Sequence, residues 1–265
     1  ESIMKSTYDN FLIYVVNNGS KDNCTILKEF DKVKLINLER NVGFGVANNI
    51  AAQRAINDGM DIIMCLNNDT IISNNTLEIM KKNLDNKSIV TCSIYYYSNP
   101  DKLWYGGGEI SNYKGTFKHK EYVNNRNVTF VSGCCFMMTK SCFEKIGLFS
   151  KEYFMYYEDA DFSIKAILNN ITIKYITDTR IWHKVGMSIK NQIGAKDYYL
   201  TRNRLYILKK YKKYFKFTAW IYFAFTRIIR IVIGIFKKEN IKPIYKGIID
   251  FNKDKMGECY IGNLK

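Results

Sequence analysis

The sequence contains few prolines and histidines and lacks the signature motifs of several common protein classes. Its 265 residues include two prolines and two histidines, whereas 47% of them are hydrophobic. This composition excludes an intrinsically disordered chain, and no internal repeat or low-complexity tract indicates a repeat protein. The length predicts one large domain, or one domain with an appendage.

Nucleotide-loop, disulfide and secretion motifs are also missing. Gly43-Phe44-Gly45 forms a glycine-containing turn, but neither G-x-G-x-x-G nor G-x-x-x-x-G-K-[ST] occurs. The seven cysteines include no C-x-x-C pair, and five lie in or beside apolar runs, which predicts buried thiols in a reducing cytoplasm rather than disulfides or a zinc site. Residues 1–10 are polar and lack the apolar segment of a signal peptide. Since the chain starts without Met and runs directly into an apolar strand, we expect a preceding strand to be missing.

The positive charge is concentrated in the last quarter of the chain. The formal net charge is +15, and residues 200–265 hold 16 Lys and Arg against four Asp and Glu. Only +3 therefore remains for residues 1–199. This distribution argues against a basic groove through the core and favours a tail that faces an anionic partner.

Short apolar, β-branched runs alternate with amphipathic stretches of helical length. The predicted strands are 11–16, 33–38, 61–66, 89–94, 128–139 and 171–176. The predicted helices are 22–30, 46–57, 75–84, 140–146, 158–169 and 195–214, and residues 95–127 read as a loop-rich insertion. This alternation predicts an α/β fold with a mostly parallel sheet and helices on both faces.

Polar residues follow three of the predicted strands, where open parallel sheets bind their ligands. These loops are 17–20, 39–41 and 67–70. In the third loop, Asp69 and two amides suit Mg²⁺ or Mn²⁺ shared with a diphosphate, and Asp69 is the best single candidate for a ligand. The alternative is an Asx turn that caps the helix beginning near Asn75.

The ordered set of motifs resembles the inverting family 2 glycosyltransferases, particularly the rhamnosyltransferase-like branch. The match extends over residues 8 to 205, and its specificity lies in the order of the motifs. The motifs are V-V-N-N-G-S at 15–20, N-V-G-F-G at 41–45 with Asn48 and Asn49, L-N-N-D-T at 66–70, V-S-G-C at 131–134, I-G-L-F at 146–149, F-M-Y-Y-E-D-A-D-F at 154–162, His183 with Gly186 and Ser188, and Tyr198-Tyr199 with Arg202-Asn203.

The resemblance implies a Rossmann-like glycosyltransferase-A fold that binds a UDP- or dTDP-sugar and a divalent metal, Mg²⁺ or Mn²⁺. Asp69 and His183 would contact the metal or diphosphate, and Gly186 and Ser188 would lie on a mobile loop closing over the donor. Two asparagines stand where the family usually has aspartates, Asn17 at the base and Asn67 in the Asp-x-Asp position. The donor-binding residues implied are Asn17, Asn18, Asn41, Gly43, Asn48, Asn67, Asn68 and Gly133.

The resemblance makes Asp159 the general base, with Glu158 and Asp161 orienting the base, the acceptor or the helix start. One base and a diphosphate leaving group suit a single inverting displacement. First-turn acids are also favoured by the helix dipole, so a structural role is the alternative. Trp104 and Tyr105 either stack on a pyranose or belong to a surface turn, and His119 receives no role.

Residues 206–265 are predicted to form a basic, amphipathic helical tail that associates with membranes. Residues 217–236 are long enough to span a bilayer, but Arg227 and Arg230 disfavour spanning. We expect an in-plane helix with snorkelling arginines and nearby lysines on anionic lipid. The alternatives are a helix packed on the core or a homodimer through the C-terminal helices.

The resemblance implies a hexosyltransferase that moves a sugar, rhamnose among the candidates, from a nucleotide-sugar donor to a saccharide or lipid-linked glycan acceptor. Such a protein would serve polysaccharide biosynthesis in a bacterial cell envelope, in the cytoplasm and peripheral on the inner face of the plasma membrane. A catalytically inactive scaffold is one alternative, since Asn17 and Asn67 depart from the family pattern. A nucleic-acid-binding protein is another, but the chain has no RRM, KH or zinc-finger pattern.

Overall fold

The computed structural model describes residues 1–22, 24–185 and 193–259, so Gly186 and Ser188 lie outside the described residues. The strands are β1 (Ile13–Asn18), β2 (Val33–Leu38), β3 (Ile62–Leu66), β4 (Thr70–Ile72), β5 (Ser88–Tyr96), β6 (Asn99–Tyr105), β7 (Gly108–Ser111), β8 (Thr116–His119), β9 (Arg126–Val128), β10 (Cys135–Thr139) and β11 (Thr172–His183). The helices are α1 (Phe44–Asn57), α2 (Thr76–Lys82), α3 (Lys140–Ile146), α4 (Glu158–Leu168), α5 (Ile193–Lys210), α6 (Phe217–Phe236) and α7 (Lys242–Asn252).

The central sheet has seven strands and confirms the α/β prediction. Its order is β3-β10-β5-β11-β4, with β6 paired to β5 and β9 paired to β11. Strands β5 and β11 are parallel, and β3 runs in the same direction because β10 is antiparallel to both β3 and β5. Strands β1 and β2 form a separate parallel pair, and β7 with β8 forms an antiparallel hairpin. The sheet is therefore mixed: β3, β5 and β11 share one direction, and β4, β6, β9 and β10 run the opposite way.

Three predicted segments differ from the structure. The strand predicted over 128–139 is divided into β9 and β10, because β9 pairs with β11 whereas β10 pairs with β3 and β5. The helix predicted over 22–30 is a 3₁₀ helix (Thr25–Glu29) that has no buried residue, so no packed face supports a longer α-helix. The insertion over 95–127 contains three strands, β6 to β8.

Strand β11 is twice as long as its predicted core, and this extension matters for the site. The apolar pattern ended at Ile176, but the strand continues after a bulge between Ile176 and Arg180 and ends at His183. Residues 180–183 of β11 pair with the C-terminal half of β5, and residues 181–183 also pair with β4. The local sequence around β11 does not indicate either pairing partner. The strand carries His183 to the sheet edge where β3 ends.

The core fills the space around β5 and β10. Ile89, Ile94, Phe136 and Met138 are fully buried there. The five cysteines in apolar runs (Cys65, Cys92, Cys134, Cys135 and Cys142) are buried, and no disulfide is present in the described part of the chain. Burial raises the pKa of the Cys65 thiol to about 12, so this thiol is a packing group.

The tail helices extend the core, and the boundary expected between residues 205 and 206 falls inside α5. Helix α7 packs closely on α5, since a Cβ atom on Gly247 would lie 2.9 Å from the Tyr198 carbonyl oxygen. The Tyr198 hydroxyl donates to Asp250 at 2.8 Å. Arg202, 1% exposed, donates to the carbonyl of Gly257 at 2.8 Å. The segment after residue 205 is therefore packed against the part of α5 that precedes this boundary.

Candidate active site

Asp69 and His183 meet at the end of the central sheet. Strand β4 begins at Thr70, whose register partner is His183 at the end of β11. The pairing leaves His183 Nε2 3.1 Å from Asp69 Oδ1, with side chains 10% and 23% exposed. Sequence separation of more than a hundred residues hides this contact, and the register of β4 on β11 creates it.

The two side chains suit a divalent cation. Asp69 Oδ1 and His183 Nδ1 are buried without a hydrogen-bond partner among the described residues, so the 3.1 Å approach is close but not a well-directed hydrogen bond. Imidazole nitrogen and carboxylate oxygen are ordinary ligands of divalent metals. No cluster of three or more His, Cys, Asp or Glu ligands occurs in residues 1–22, 24–185 and 193–259. The pair would therefore supply two ligands and leave the others to a diphosphate and water.

Trp104 lies between the two histidines of the chain. Its ring makes edge contacts with His183 and His119, each with centroids 4.6 Å apart. His119 Nδ1 lies 3.0 Å from the Trp104 carbonyl oxygen, and partial loss of hydration lowers the pKa of His119, although the residue as a whole is exposed. His119, to which the sequence assigned no role, thus lies next to the Asp69–His183 pair through Trp104. Tyr105 is fully buried in a strand and donates to the Phe130 carbonyl, so both alternatives considered for it, stacking on a pyranose and a surface turn, are wrong.

The segment around Gly133 connects the Asp69 side of the site to Asp159. The backbone amide of Asn67 donates to the Cys134 carbonyl at 2.9 Å, while the backbone amide of Gly133 lies 3.4 Å from Asp159 Oδ2. A Cβ atom on Gly133 would lie 3.2 Å from Phe44 and 3.7 Å from the Asp159 Cβ. The segment between β9 and β10 therefore links the loop that carries Asp69 to the predicted base, Asp159.

Asp159 follows a strained turn at the start of α4. Tyr156 and Tyr157 have φ of 65° and 75°, the left-handed region that costs a residue with a side chain about 1–3 kcal/mol. The Asn203 amide holds this turn by donating to the Met155 carbonyl at 2.8 Å and to the Tyr156 carbonyl at 2.9 Å. Asn203 is thus a positioning residue for Asp159. The Arg202-Asn203 motif was visible in the sequence, but its function in holding the turn was not.

Asp159 lines a small cavity of about 250 Å³. The lining residues are Thr116, Phe117, Tyr156, Tyr157, Asp159, Ala160, Leu200 and Arg204. Thr116 Oγ1 is buried and has no partner within the described ranges. Aromatic walls with one carboxylate and one available hydroxyl are suited to a sugar ring. A larger, open hollow of about 710 Å³ between α1 and α3 contains none of the predicted site residues and is not the candidate site.

The environment raises the pKa of Glu158 and of Asp159 at the start of α4. Loss of hydration in the cavity wall raises the pKa of Asp159. The same loss raises the pKa of Glu158, and the neighbouring Asp159 charge raises it further. Glu158 Oε2 is buried and has no hydrogen-bond partner in the described part of the protein. Asp159 therefore ionises first, and its charge keeps Glu158 protonated to higher pH.

The predicted donor-binding asparagines build the loops in which they lie. Asn18 donates to Asn41 Oδ1 at 3.0 Å and accepts from the Val42 amide at 2.9 Å. Asn17 accepts from the Ser20 amide, and Asn48 donates to the Phe44 carbonyl one turn earlier in α1. These amides shape the ends of β1 and β2 and the first turn of α1.

Of the other predicted donor-binding residues, Gly43 packs closely against a neighbouring loop, whereas Asn68 is exposed. Gly43 has φ of 88°, and a Cβ atom there would lie 2.7 Å from the Phe154 carbonyl oxygen. The glycine therefore lets the start of α1 pack against the loop before Asp159. Asn68 is exposed, whereas its neighbour Asn67 is half-buried.

Asp161 is buried away from the cavity. It is 0% exposed, and its carboxylate accepts from Lys210 at 2.6 Å, from Tyr211 at 3.0 Å and from the Ser150 hydroxyl. Of the three roles that the resemblance implied for Asp161, these contacts support orientation of the helix start, and Asp161 is not among the residues that line the cavity. The ion pair fixes α4, and with it Asp159, against α5.

Replacing Asp161 with alanine is expected to lower the free energy of unfolding by about 3 kcal/mol. The change leaves Lys210 and the Tyr211 hydroxyl without their shared acceptor, although Lys210, 29% exposed, regains some hydration. Urea unfolding followed by circular dichroism measures the effect. The control is Asp254→Asn, since the exposed Lys209–Asp254 pair should contribute no more than about 0.5 kcal/mol. Equal stability of the two variants would contradict the anchoring role.

Comparison with known proteins identifies relatives of this chain. The family model "Glycosyl transferase family 2" matches residues 1–147. The chain is 24% identical over 212 residues to the dTDP-rhamnosyl transferase RfbF of Shigella flexneri, which covers 74% of this chain and 71% of the relative.

Solved structures resemble the chain in fold. GalNAc-T7, in a crystal structure with UDP, GalNAc and Mn²⁺, aligns with a TM-score of 0.59 at 16% identity, over 91% of this chain and 55% of that one. Residues 1–349 of S. aureus TarS align with a TM-score of 0.51 at 18% identity, over 68% of this chain and 54% of that one. The chain thus spans about half the length of these two structures.

Proposed function

Because this chain belongs to glycosyl transferase family 2, we propose that it transfers a sugar from a nucleoside diphosphate donor to a saccharide hydroxyl, with inversion at the anomeric carbon. The observation that carries the proposal is the position of Asp159. Its carboxylate lines an aromatic cavity of about 250 Å³, has a raised pKa, and follows a turn that Asn203 holds in a strained conformation.

In this reaction Asp159 accepts the proton of the acceptor hydroxyl. The hydroxyl oxygen forms a bond to the anomeric carbon as the bond from that carbon to the diphosphate breaks, and the electron pair leaves with the diphosphate. One bond forms and one breaks on opposite faces of the carbon, which inverts its configuration. A base whose pKa is raised toward neutrality is more effective at taking this proton, provided that it remains ionised at the working pH.

Asp69 and His183 would hold the divalent metal. When bound, such an ion neutralises charge that develops on the departing diphosphate. Asn67 would add a neutral contact from the same loop, and Gly133, whose backbone amide lies 3.4 Å from Asp159 Oδ2, connects this region to the base. The proposal is supported by the two buried, poorly partnered atoms of the Asp69–His183 pair.

The donor is proposed to be a UDP- or dTDP-sugar. Support comes from the curated relative, a dTDP-rhamnosyl transferase, and from the UDP and Mn²⁺ in the GalNAc-T7 structure. Rhamnose or another hexose is the proposed sugar. The proposed setting is polysaccharide synthesis for a bacterial envelope on the cytoplasmic side.

Thermal-shift titration with UDP-, dTDP- and GDP-sugars, each with Mn²⁺ or Mg²⁺, tests the donor. We expect a pyrimidine sugar nucleotide with metal to raise the melting temperature more than a GDP-sugar. NMR of the product made from that donor then tests inversion, since the new linkage should have the opposite anomeric configuration. Retained configuration would contradict the single displacement, and donor binding without turnover of any acceptor would indicate the inactive scaffold.

A further inference from the structure

Helix α6 has two faces of opposite character. Its inner face packs on the protein through Ala219 and Phe223, which are buried. Both arginines of the helix also point inward. Arg230 pairs with Asp197 of α5 at 2.6 Å and with Glu239 at 2.7 Å, and Arg227 donates to Thr201 at 3.3 Å. The expectation that these arginines snorkel outward is therefore wrong, because α5 offers them partners.

The outer face of α6 is apolar along its full length. Large side chains recur on it every three or four residues and are between 43% and 83% exposed, as in Phe217, Ile221, Phe225, Ile228, Val232 and Phe236. At 1.5 Å per residue the stripe is about 30 Å long. The most apolar 18 residues of the helix have a mean hydropathy of 1.7, and 17% of those residues are buried. Such a continuous apolar patch marks an interaction surface.

Exposed lysines lie at both ends of this stripe. Lys212, Lys213 and Lys216 precede α6, and Lys237 and Lys238 follow it. None of the five has an acidic partner within 4 Å in the part of the chain that the structure describes. An apolar stripe with cations at its two ends matches a bilayer surface, where acyl chains meet anionic phosphates. A second copy of this chain would bring the same lysines and a net charge of +15 to the contact, which opposes self-association.

The inner face of α6 adjoins the cavity that contains Asp159. Thr226 of α6 accepts from Arg204 at 3.3 Å, and the Phe223 ring lies 5.5 Å from the same guanidinium. Arg204 lines the cavity. The hairpin tip between β7 and β8 also rests on α6, since the Thr218 hydroxyl donates to the Tyr113 carbonyl at 2.7 Å. A single layer of side chains thus separates α6 from the cavity.

We propose that α6 lies flat in the surface of an anionic bilayer and thereby presents the Asp159 cavity to a saccharide acceptor attached to a lipid. The outer side chains enter the acyl boundary, and the flanking lysines contact lipid phosphates. Arg227 and Arg230 stay on α5, because a spanning helix would have to lose these contacts and carry both charges into hydrocarbon. The acceptor part of this proposal rests on the proposed glycosyltransferase function, and the membrane part does not.

Vesicle flotation of the full chain tests the membrane contact. We expect binding to vesicles of equal parts phosphatidylcholine and phosphatidylglycerol, and little binding to phosphatidylcholine alone. Ile228→Glu should reduce partitioning by about ten-fold or more, since it places a charge in the apolar stripe while keeping a good helix former. The matched control is Ile26→Glu, because Ile26 and Ile228 are both 60% exposed and Ile26 lies far from α6 in sequence. Binding should be unchanged in this control.

The lysines are tested by Lys212→Gln combined with Lys213→Gln, which should weaken binding to the anionic vesicles roughly 25-fold. Equal binding to neutral and anionic vesicles would overturn the phosphate contact. Excess empty vesicles should extract bound protein, and retention would instead indicate a spanning helix. A dimer in solution that Ile228→Glu converts to monomer, without vesicle binding, would assign the stripe to a second copy and overturn the proposal.

A separate readout keeps this test independent of the reaction. Ile228→Glu should leave turnover of a water-soluble acceptor unchanged and reduce turnover only of a vesicle-bound acceptor. Asp159→Asn should float with vesicles like the unmodified chain. Vesicle binding without any turnover would therefore contradict the proposed function alone, whereas turnover without vesicle binding would contradict the membrane contact alone.

Discussion

Replacing Asp159 with asparagine is expected to reduce turnover by about 10² to 10⁴-fold while the affinity for the donor changes by no more than a few-fold. The amide keeps the size of the carboxylate and can still accept from the Ala160 amide, which lies 2.8 Å from Asp159 Oδ1. It cannot take a proton from the acceptor. Single-turnover kinetics and donor titration measure the two quantities separately.

Glu158→Gln is the matched control for Asp159→Asn. Glu158 remains protonated while Asp159 ionises, so a neutral amide at position 158 should change turnover far less. If Glu158→Gln were instead the inactive variant, Glu158 would be the base. Near-normal turnover of Asp159→Asn would make Asp159 a structural residue.

The pH dependence follows from the raised pKa of Asp159. Only the ionised carboxylate accepts the proton, so kcat/KM should fall as the pH drops through that pKa, at a pH well above the ordinary aspartate value of about 3.9. Glu158→Gln should retain this acid limb. Because the pKa is raised in the folded state, ionised Asp159 opposes folding at pH 8, where Asp159→Asn should resist urea at least as well as the unmodified chain. An acid limb near the ordinary value would contradict the buried setting of the base.

Replacing Asp69 with alanine is expected to abolish the effect of Mn²⁺ on donor affinity and to lower kcat/KM by about 10²-fold, since charge neutralisation by a metal contributes several kcal/mol. The remaining partner, His183, provides a single ligand for a metal shared with the diphosphate. Calorimetric titration of the donor with and without Mn²⁺ gives the metal effect as a ratio of dissociation constants. That ratio should approach one in the variant.

Asp61→Ala is the control for Asp69→Ala, because Asp61 is an exposed aspartate directly before the other end of β3. It should bind the donor and metal like the unmodified chain. The capping alternative is not supported, because Asn75 is the N-cap of α2 and β4 lies between α2 and Asp69. If Asp69 only stabilises its own loop, Asp69→Ala should lose stability to urea but keep the Mn²⁺ effect. Either that result, or unchanged donor binding in Mn²⁺, would contradict the metal role.

Regular elements with a buried face were predictable from sequence because their patterns are local. The bounds of β2, α3 and α6 coincide with the predicted segments 33–38, 140–146 and 217–236. The 3₁₀ helix at Thr25–Glu29 was not predictable in this way, because its composition is helical but none of its residues is buried. The division of 128–139 depends on which strands pair with each half, and that information lies elsewhere in the chain.

The candidate site divides in the same manner. The family motifs pointed to Asp69, His183, Gly133 and Asp159, and the structure groups them through the ends of β3, β4 and β11 and the bend before β10. Roles that depend on contacts differed from expectation. The sequence could not tell that the Asp161 carboxylate faces Lys210 of α5.

By itself, the sequence determined the α/β class, the order of the motifs, and a tail that combines clustered lysines with an apolar helix. These properties follow from periodicity and composition, which are set by residues close together in the chain. Only the tertiary structure decided which acid lines the cavity, which is buried in an ion pair, and which way Arg227 and Arg230 face. These outcomes depend on desolvation and on partners supplied by distant segments. A carboxylate or guanidinium has the same place in a sequence pattern whether it is hydrated, paired or poised to react.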